Sequence, residues 1–63
     1  MVENMVKARR KELGMTLEQL SRESGVPVST ISDVERGIEP KVKTAQRIAM
    51  ALLRTIDELW PET

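Results

Sequence analysis

Five side chains within nine residues carry the chemistry of this chain: Val28, Ser29, Ser32, Asp33 and Arg36. Their spacings of three and four place them on one exposed face if the segment is helical. Together they offer an apolar surface, two hydroxyls, a carboxylate and a guanidinium. Val28 suits packing on a thymine methyl, and Ser29 or Ser32 can bond to more than one base or to phosphate. Asp33 has two equal readings. Its carboxylate could accept from cytosine N4, at the cost of repelling nearby phosphates, or it could pair locally with Arg36, a contact that stabilises a helix by only ~0.2 to 0.5 kcal/mol. This is recognition chemistry. The chain has no cysteine and no histidine, which excludes a disulfide framework and the usual Cys/His zinc sites. The carboxylates sit at positions best read as helix caps and solvated faces, so an enzyme is not expected, nor is any cofactor or metal.

The elements that must hold this face are legible in the run TLEQLSRESGVPVSTISDVERG, residues 16–37. Thr16 can cap a first helix while Gln19, three residues on, reaches back to form a capping box. Gly25 ends that helix where a left-handed backbone is needed, and Val26 supplies an apolar residue at the corner. Pro27, with fixed φ and no N–H, suits the first turn of the next helix, which Gly37 terminates. Leu17, Leu20, Ile31 and Val34 recur at intervals of three and give each helix an inward stripe. Two amphipathic helices meeting at a tight glycine turn, the second with small polar residues outward, have the layout of a DNA-reading helix-turn-helix.

Around this corner the same signals predict three more helices. The spans are about 3–13, 17–24, 28–36, 42–52 and 56–60, with Gly14 closing the first. Val42, Ala45, Ile48, Ala49 and Leu52 form one apolar face on the fourth. Thr55 and Glu58 make a second capping box before Leu59 and Trp60, and Pro61 stops the last helix. All three glycines and all three prolines fall at helix ends, as expected of an all-α bundle forming one domain over residues 1–63 with no repeat or linker. Its core must be small. The apolar run at 48–53 is far too short for a bilayer, and no signal segment opens the chain, so an intracellular, cytoplasmic protein without a membrane partner is expected.

Charge needs separate weighing. Ten basic residues oppose ten acidic ones, with a pI near 6.2, where a nucleic-acid-binding domain is ordinarily basic. The distribution is uneven, however. Arg36, Lys41, Lys43, Arg47 and Arg54 face only Glu39 between residues 36 and 54, a net +4, while 55–63 hold Asp57, Glu58 and Glu62 with no cation. Arg36, Lys41 and Lys43 cluster between the third and fourth helices, where a helix dipole also favours an anion.

From Val6 to Trp60 the chain resembles the Cro and phage-repressor helix-turn-helix family, the xenobiotic-response-element type. The resemblance is carried by Arg10 and Gly14, then Thr16, Leu20, Gly25, Val26, Ile31, Glu35, Arg36 and Gly37, and then Pro40, Ala45, Ile48, Ala49, Leu52, Asp57, Glu58 and Leu59. It implies a compact five-helix lambda-repressor-like fold, a recognition helix in the major groove, and a homodimer on a two-fold symmetric operator in double-stranded DNA. It also implies a structural ion pair between Arg10 and Glu35. Base reading falls to Val28, Ser29, Ser32 and Asp33, and backbone contact to Thr16, Thr30, Arg36, Lys41 and Lys43. Dimers in the family often meet through the last helix and the turn before it, here Leu53, Ile56, Leu59 and, at the edge, Trp60, whose size suits it more readily to a plug over helix one. The chain departs from the family pattern at Leu17, where a DNA-contacting glutamine is common, at Leu53, where glycine is frequent, and at Lys41, where a capping serine is frequent. The expected function is a sequence-specific regulator, most simply a repressor. The alternative is a protein-interaction module that keeps the fold without DNA affinity, which zero net charge, Leu17 and Asp33 suggest. No small-molecule effector is expected in so small a bundle.

Overall fold

The computed structural model describes residues 3–61, and among these every regular element is a helix. In chain order they are α1 (Val6–Glu12), α2 (Leu17–Ser24), α3 (Val28–Glu35), α4 (Val42–Leu52) and α5 (Ile56–Leu59). The architecture is all-α. Helix α4 runs through the middle, with α1, α2 and α5 packed against it and α3 held by α1 and α2. Val6, Leu20, Val26, Ile31, Val34, Ile48, Ala49, Leu52 and Leu59 form one buried cluster drawn from all five helices and the α2–α3 corner. Met15, Leu17, Ala51, Ile56 and Trp60 pack around it, half-buried.

Local chemistry sets most of the boundaries. Thr16 Oγ1 accepts from the Gln19 amide at 3.1 Å while Gln19 Oε1 accepts from the Thr16 amide at 2.8 Å, closing the capping box of α2. Thr55 and Glu58 repeat it on α5, at 3.1 Å and 2.9 Å. Three helix ends share one hydrogen-bond pattern, with a positive φ at the residue after the cap or at the cap itself. The Met15, Ile38 and Arg54 amides reach back to the carbonyls of Arg10, Asp33 and Ala49, spanning Gly14, Gly37 and Leu53. At Leu53, φ is 58°, a left-handed conformation that a side chain disfavours by about 1 to 2 kcal/mol. The turn into α5 therefore keeps the geometry glycine would favour, and α4 stops at Leu52.

Several sequence expectations need correction. Helix α1 begins at Val6 rather than near Glu3, because the preceding residues are committed elsewhere. The Met5 amide donates to Leu59 O at 2.8 Å, the Asn4 amide group donates to Val34 O at 2.7 Å, and Asn4 Oδ1 receives the Val6 amide. Helices α3 and α5 are each one residue shorter than expected, with Arg36 and Trp60 at their caps, and Pro27 stands at the N-cap of α3, one position before its first turn. Val42 is 70% exposed and does not belong to the apolar face of α4. Side chains tilt toward a helix N-terminus, so a residue in the first turn projects past the core that Ala45, Ile48, Ala49 and Leu52 reach. Leu59 is 1% exposed. It fills the core beneath α5 and is unable to serve as a dimer contact.

Candidate nucleic-acid interface

The corner between α2 and α3 is built by residues with no latitude. Gly25 takes φ 73° and ψ 16°, and its amide returns to Ser21 O at 2.8 Å. Val26 follows, 3% exposed, pinning the corner to the core. Ser24, buried, donates its hydroxyl to Leu20 O at 2.7 Å and receives the Val26 amide at 3.2 Å. It thus ties the last turn of α2 to the start of the corner. Sequence reasoning passed over Ser24; the signal was a small hydroxyl residue next to the terminating glycine, able to bond back four residues.

Helix α3 is then set by what its inner face meets. Ile31 and Val34 are buried, and Glu35, the last residue of the helix, turns its carboxylate inward to Arg10 of α1. Arg10 Nε and Nη2 donate to the two Glu35 oxygens at 2.8 Å and 3.3 Å, and Nη1 donates to Met15 O at 2.7 Å. Both side chains are about nine-tenths buried. A forked contact fixes distance and rotation together, so it locks the tilt of α3 against α1 and leaves Arg10 without a role on the outer surface.

The opposite face of α3 carries the five residues singled out by type and spacing. Ser29 and Arg36 are exposed, and Val28, Ser32 and Asp33 are half-buried. The Asp33 carboxylate accepts from Arg36 Nη2, a contact between partly exposed side chains one turn apart. Thr30 is half-buried. Thr16 is exposed, with its oxygen engaged in the cap and its proton still available to donate. Lys41 and Lys43 are exposed at the start of α4, and no side chain caps α4 or α3, in contrast to α2 and α5. The N–H groups that no side chain caps at the start of α4 add partial positive charge beside Lys41 and Lys43. Arg54 is drawn into the α4–α5 turn, where it meets Glu58 at 3.9 Å and Leu53 O at 3.1 Å.

A second face lies at the far end of α4. Leu53 is 72% exposed and Met50 77%, with Ile56 and Trp60 half-buried beside the core. Met50 was not anticipated as part of it; its offset of three from Leu53 was the available signal. The backbone beneath is held from α1, where Arg9 Nε donates to Leu52 O at 2.9 Å. Among the described residues, one open concavity is lined by Met5, Ala8, Arg9, Glu12, Arg54, Glu58 and Leu59, and another by Met15, Gln19, Arg22 and Glu23. Among the described residues there is no cluster of carboxylates able to hold a metal ion, and no helix is long and apolar enough to cross a membrane.

Two short helices about a glycine corner, the first capped and the second presenting small polar groups from a rigid core, define a helix-turn-helix protein. The comparison with known families agrees: the helix-turn-helix family model matches residues 6–59, and the chain belongs to that family, in its xenobiotic-response-element type. It is also similar to a protein of Methanothermobacter thermautotrophicus described as an uncharacterized HTH-type transcriptional regulator, with 43% identity over 51 residues, covering 79% of this chain and 74% of the relative.

Proposed function

We propose that this protein is a DNA-binding transcriptional regulator that reads sequence with α3 in the major groove, binds a two-fold symmetric operator as a homodimer, and acts most simply as a repressor by occupying it. Family membership and the regulator-like relative support the class. The observation that carries the reading is the division of labour on α3: one face locked inward by Ile31, Val34 and the Arg10–Glu35 fork, the other presenting Val28, Ser29, Ser32 and Asp33. In this reading Val28 packs on a thymine methyl, and the two serines bond to base edges or phosphate. Thr16, Thr30, Arg36, Lys41 and Lys43 engage the backbone and set the register. Met50, Leu53 and Ile56, with Trp60 at the edge, form the dimer contact. Base contacts at this interface are few and permissive, so discrimination rests on the dimer reading two half-sites at a set separation.

The test is selection from random-sequence duplexes at moderate salt. Enrichment of inverted half-sites with centres about one helical turn, roughly 34 to 36 Å, apart is the expected result. With about three phosphates neutralised per half-site, log affinity should fall with log salt at a slope of roughly −5. A folded protein that enriches nothing and shows no salt-dependent duplex binding would refute the reading and favour a protein-interaction role.

A further inference from the structure

Among the cations between α3 and α4, Arg36 has its guanidinium engaged within the same helix. Its Nη2 donates to the Asp33 carboxylate one turn back, while Lys41 and Lys43 stand exposed. Asp33 itself is anchored, since its backbone carbonyl accepts both the Arg36 and Ile38 amides in the turn that ends α3. The carboxylate therefore sits on a fixed base beside the guanidinium. A phosphate oxygen and a carboxylate oxygen ask the same thing of an arginine, a charge-assisted pair of N–H donors. The pair is partly open to solvent, with side-chain exposures of 69% for Arg36 and 44% for Asp33, so it can exchange partners.

We infer that Asp33 acts as a built-in competitor for phosphate, folding Arg36 back along α3 and suppressing sequence-independent binding to duplex DNA. The inference rests on the DNA-reading function proposed above and assigns Asp33 a role other than reading a base. While the pair is closed, this end of α3 presents no net charge to the nucleic acid. Opening it delivers one more cation to the backbone and exposes a carboxylate that phosphates repel, so a duplex must offer something beyond its backbone to open it. In a chain with no net charge, such a device keeps weak, indiscriminate binding low while leaving Arg36 in reach of phosphate at a site the other contacts favour.

The experiment is a double-mutant cycle of Asp33→Asn and Arg36→Gln, with binding to a random-sequence duplex followed across a salt series and folding confirmed for each protein by circular dichroism. Asp33→Asn should tighten binding by about two- to fivefold per bound copy, the range of an exposed ion pair, and steepen the salt slope by about 0.9 per copy. In the Arg36→Gln background the same substitution should have far less effect. Equal tightening with and without Arg36 would mean that Asp33 acts by direct repulsion of phosphate, and would overturn the competitor role. Weaker or unchanged binding of Asp33→Asn would overturn it too, pointing to a carboxylate that positions Arg36 or ignores it. If none of the four proteins bound duplex at low salt, the proposed function itself would fall, and this inference with it.

Discussion

The Arg10–Glu35 fork supports the sharpest quantitative prediction. Glu35→Ala removes both oxygens that receive Arg10 Nε and Nη2, leaving a guanidinium only about one-tenth exposed with Met15 O as its remaining partner. Breaking a buried pair on one side costs about 3 to 5 kcal/mol, because the stranded charge is neither hydrated nor compensated. Folded domains hold roughly 0.05 to 0.15 kcal/mol per residue, so a chain of this size has about 3 to 9 kcal/mol in total. The substitution should thus consume a third or more of the stability, lowering Tm by at least about 12 °C. Replacing both partners by apolar residues of similar volume, Arg10→Met with Glu35→Leu, should recover much of the loss. It will not recover all of it, because Met15 O then loses its donor, a cost of about 1 to 3 kcal/mol. Urea unfolding followed by far-ultraviolet circular dichroism measures both variants, provided the m-value is unchanged. A cost below about 1 kcal/mol for Glu35→Ala, or a double variant no better than the single one, would show that water reaches the pair as it reaches surface ion pairs, and would refute the account of how α3 is fixed.

Thr16→Ala should cost about 1 kcal/mol by opening the capping box of α2, whereas Thr16→Ser should be close to neutral; urea midpoints distinguish them. Gly25→Ala should cost about 1 to 2 kcal/mol from the backbone alone, since φ is 73° and a Cβ there meets nothing within 4 Å; a larger loss in thermal unfolding would imply a steric contact the structure lacks. Leu53→Gly should divide two properties. Relief of the left-handed leucine, less the entropy glycine loses on folding, should make the fold more stable by about 1 kcal/mol or less, while removal of the exposed side chain should weaken the proposed dimer in sedimentation analysis. The Glu58 carboxyl is held below its ordinary pKa, first by the Thr55 backbone N–H and then by the Thr55 hydroxyl, with Arg54 and Arg9 adding attraction. A depressed carboxyl pKa contributes stability that is present above the ordinary glutamate value and is lost as pH falls through the lower, folded value. Stability should therefore decline across that acid window, and Glu58→Gln, which can still accept from Thr55 N, should flatten the decline in urea midpoints measured at successive pH values.

Much of the architecture was legible because the forces that set it act over a few residues. The capping boxes of Thr16 with Gln19 and of Thr55 with Glu58, and the left-handed glycines at 14, 25 and 37, involve groups three to five positions apart. The spacing of Leu20, Ile31, Val34, Ile48, Ala49 and Leu52 likewise identifies buried faces without reference to what covers them. The polar outer face of α3 was legible by the same logic, as the complement of the inward stripe on that helix. The errors fall where a residue's fate depends on a distant partner. The start of α1 at Val6 rests only partly on the local bond from the Val6 amide to Asn4 Oδ1; the rest comes from Asn4 bonding to Val34 and Met5 to Leu59 across the molecule. Val42 continues the apolar pattern of α4 in sequence but lies beyond the reach of the core in space.

The sequence by itself determined the helices, their caps, the glycine corner and the polar outer face of α3, because these depend on backbone conformation and periodicity within single turns. Tertiary structure alone decided how the last apolar residues are shared out, sending Leu59 to the core while Met50 and Leu53 stay on the surface. It also decided how deeply the charge pairs lie, burying the Arg10–Glu35 pair that the family resemblance implied and leaving Asp33 with Arg36 on the outside. The reason is common to both. A helical period says which residues share a face but not how much of that face a neighbouring helix covers, and coverage is set by packing between elements far apart in the chain.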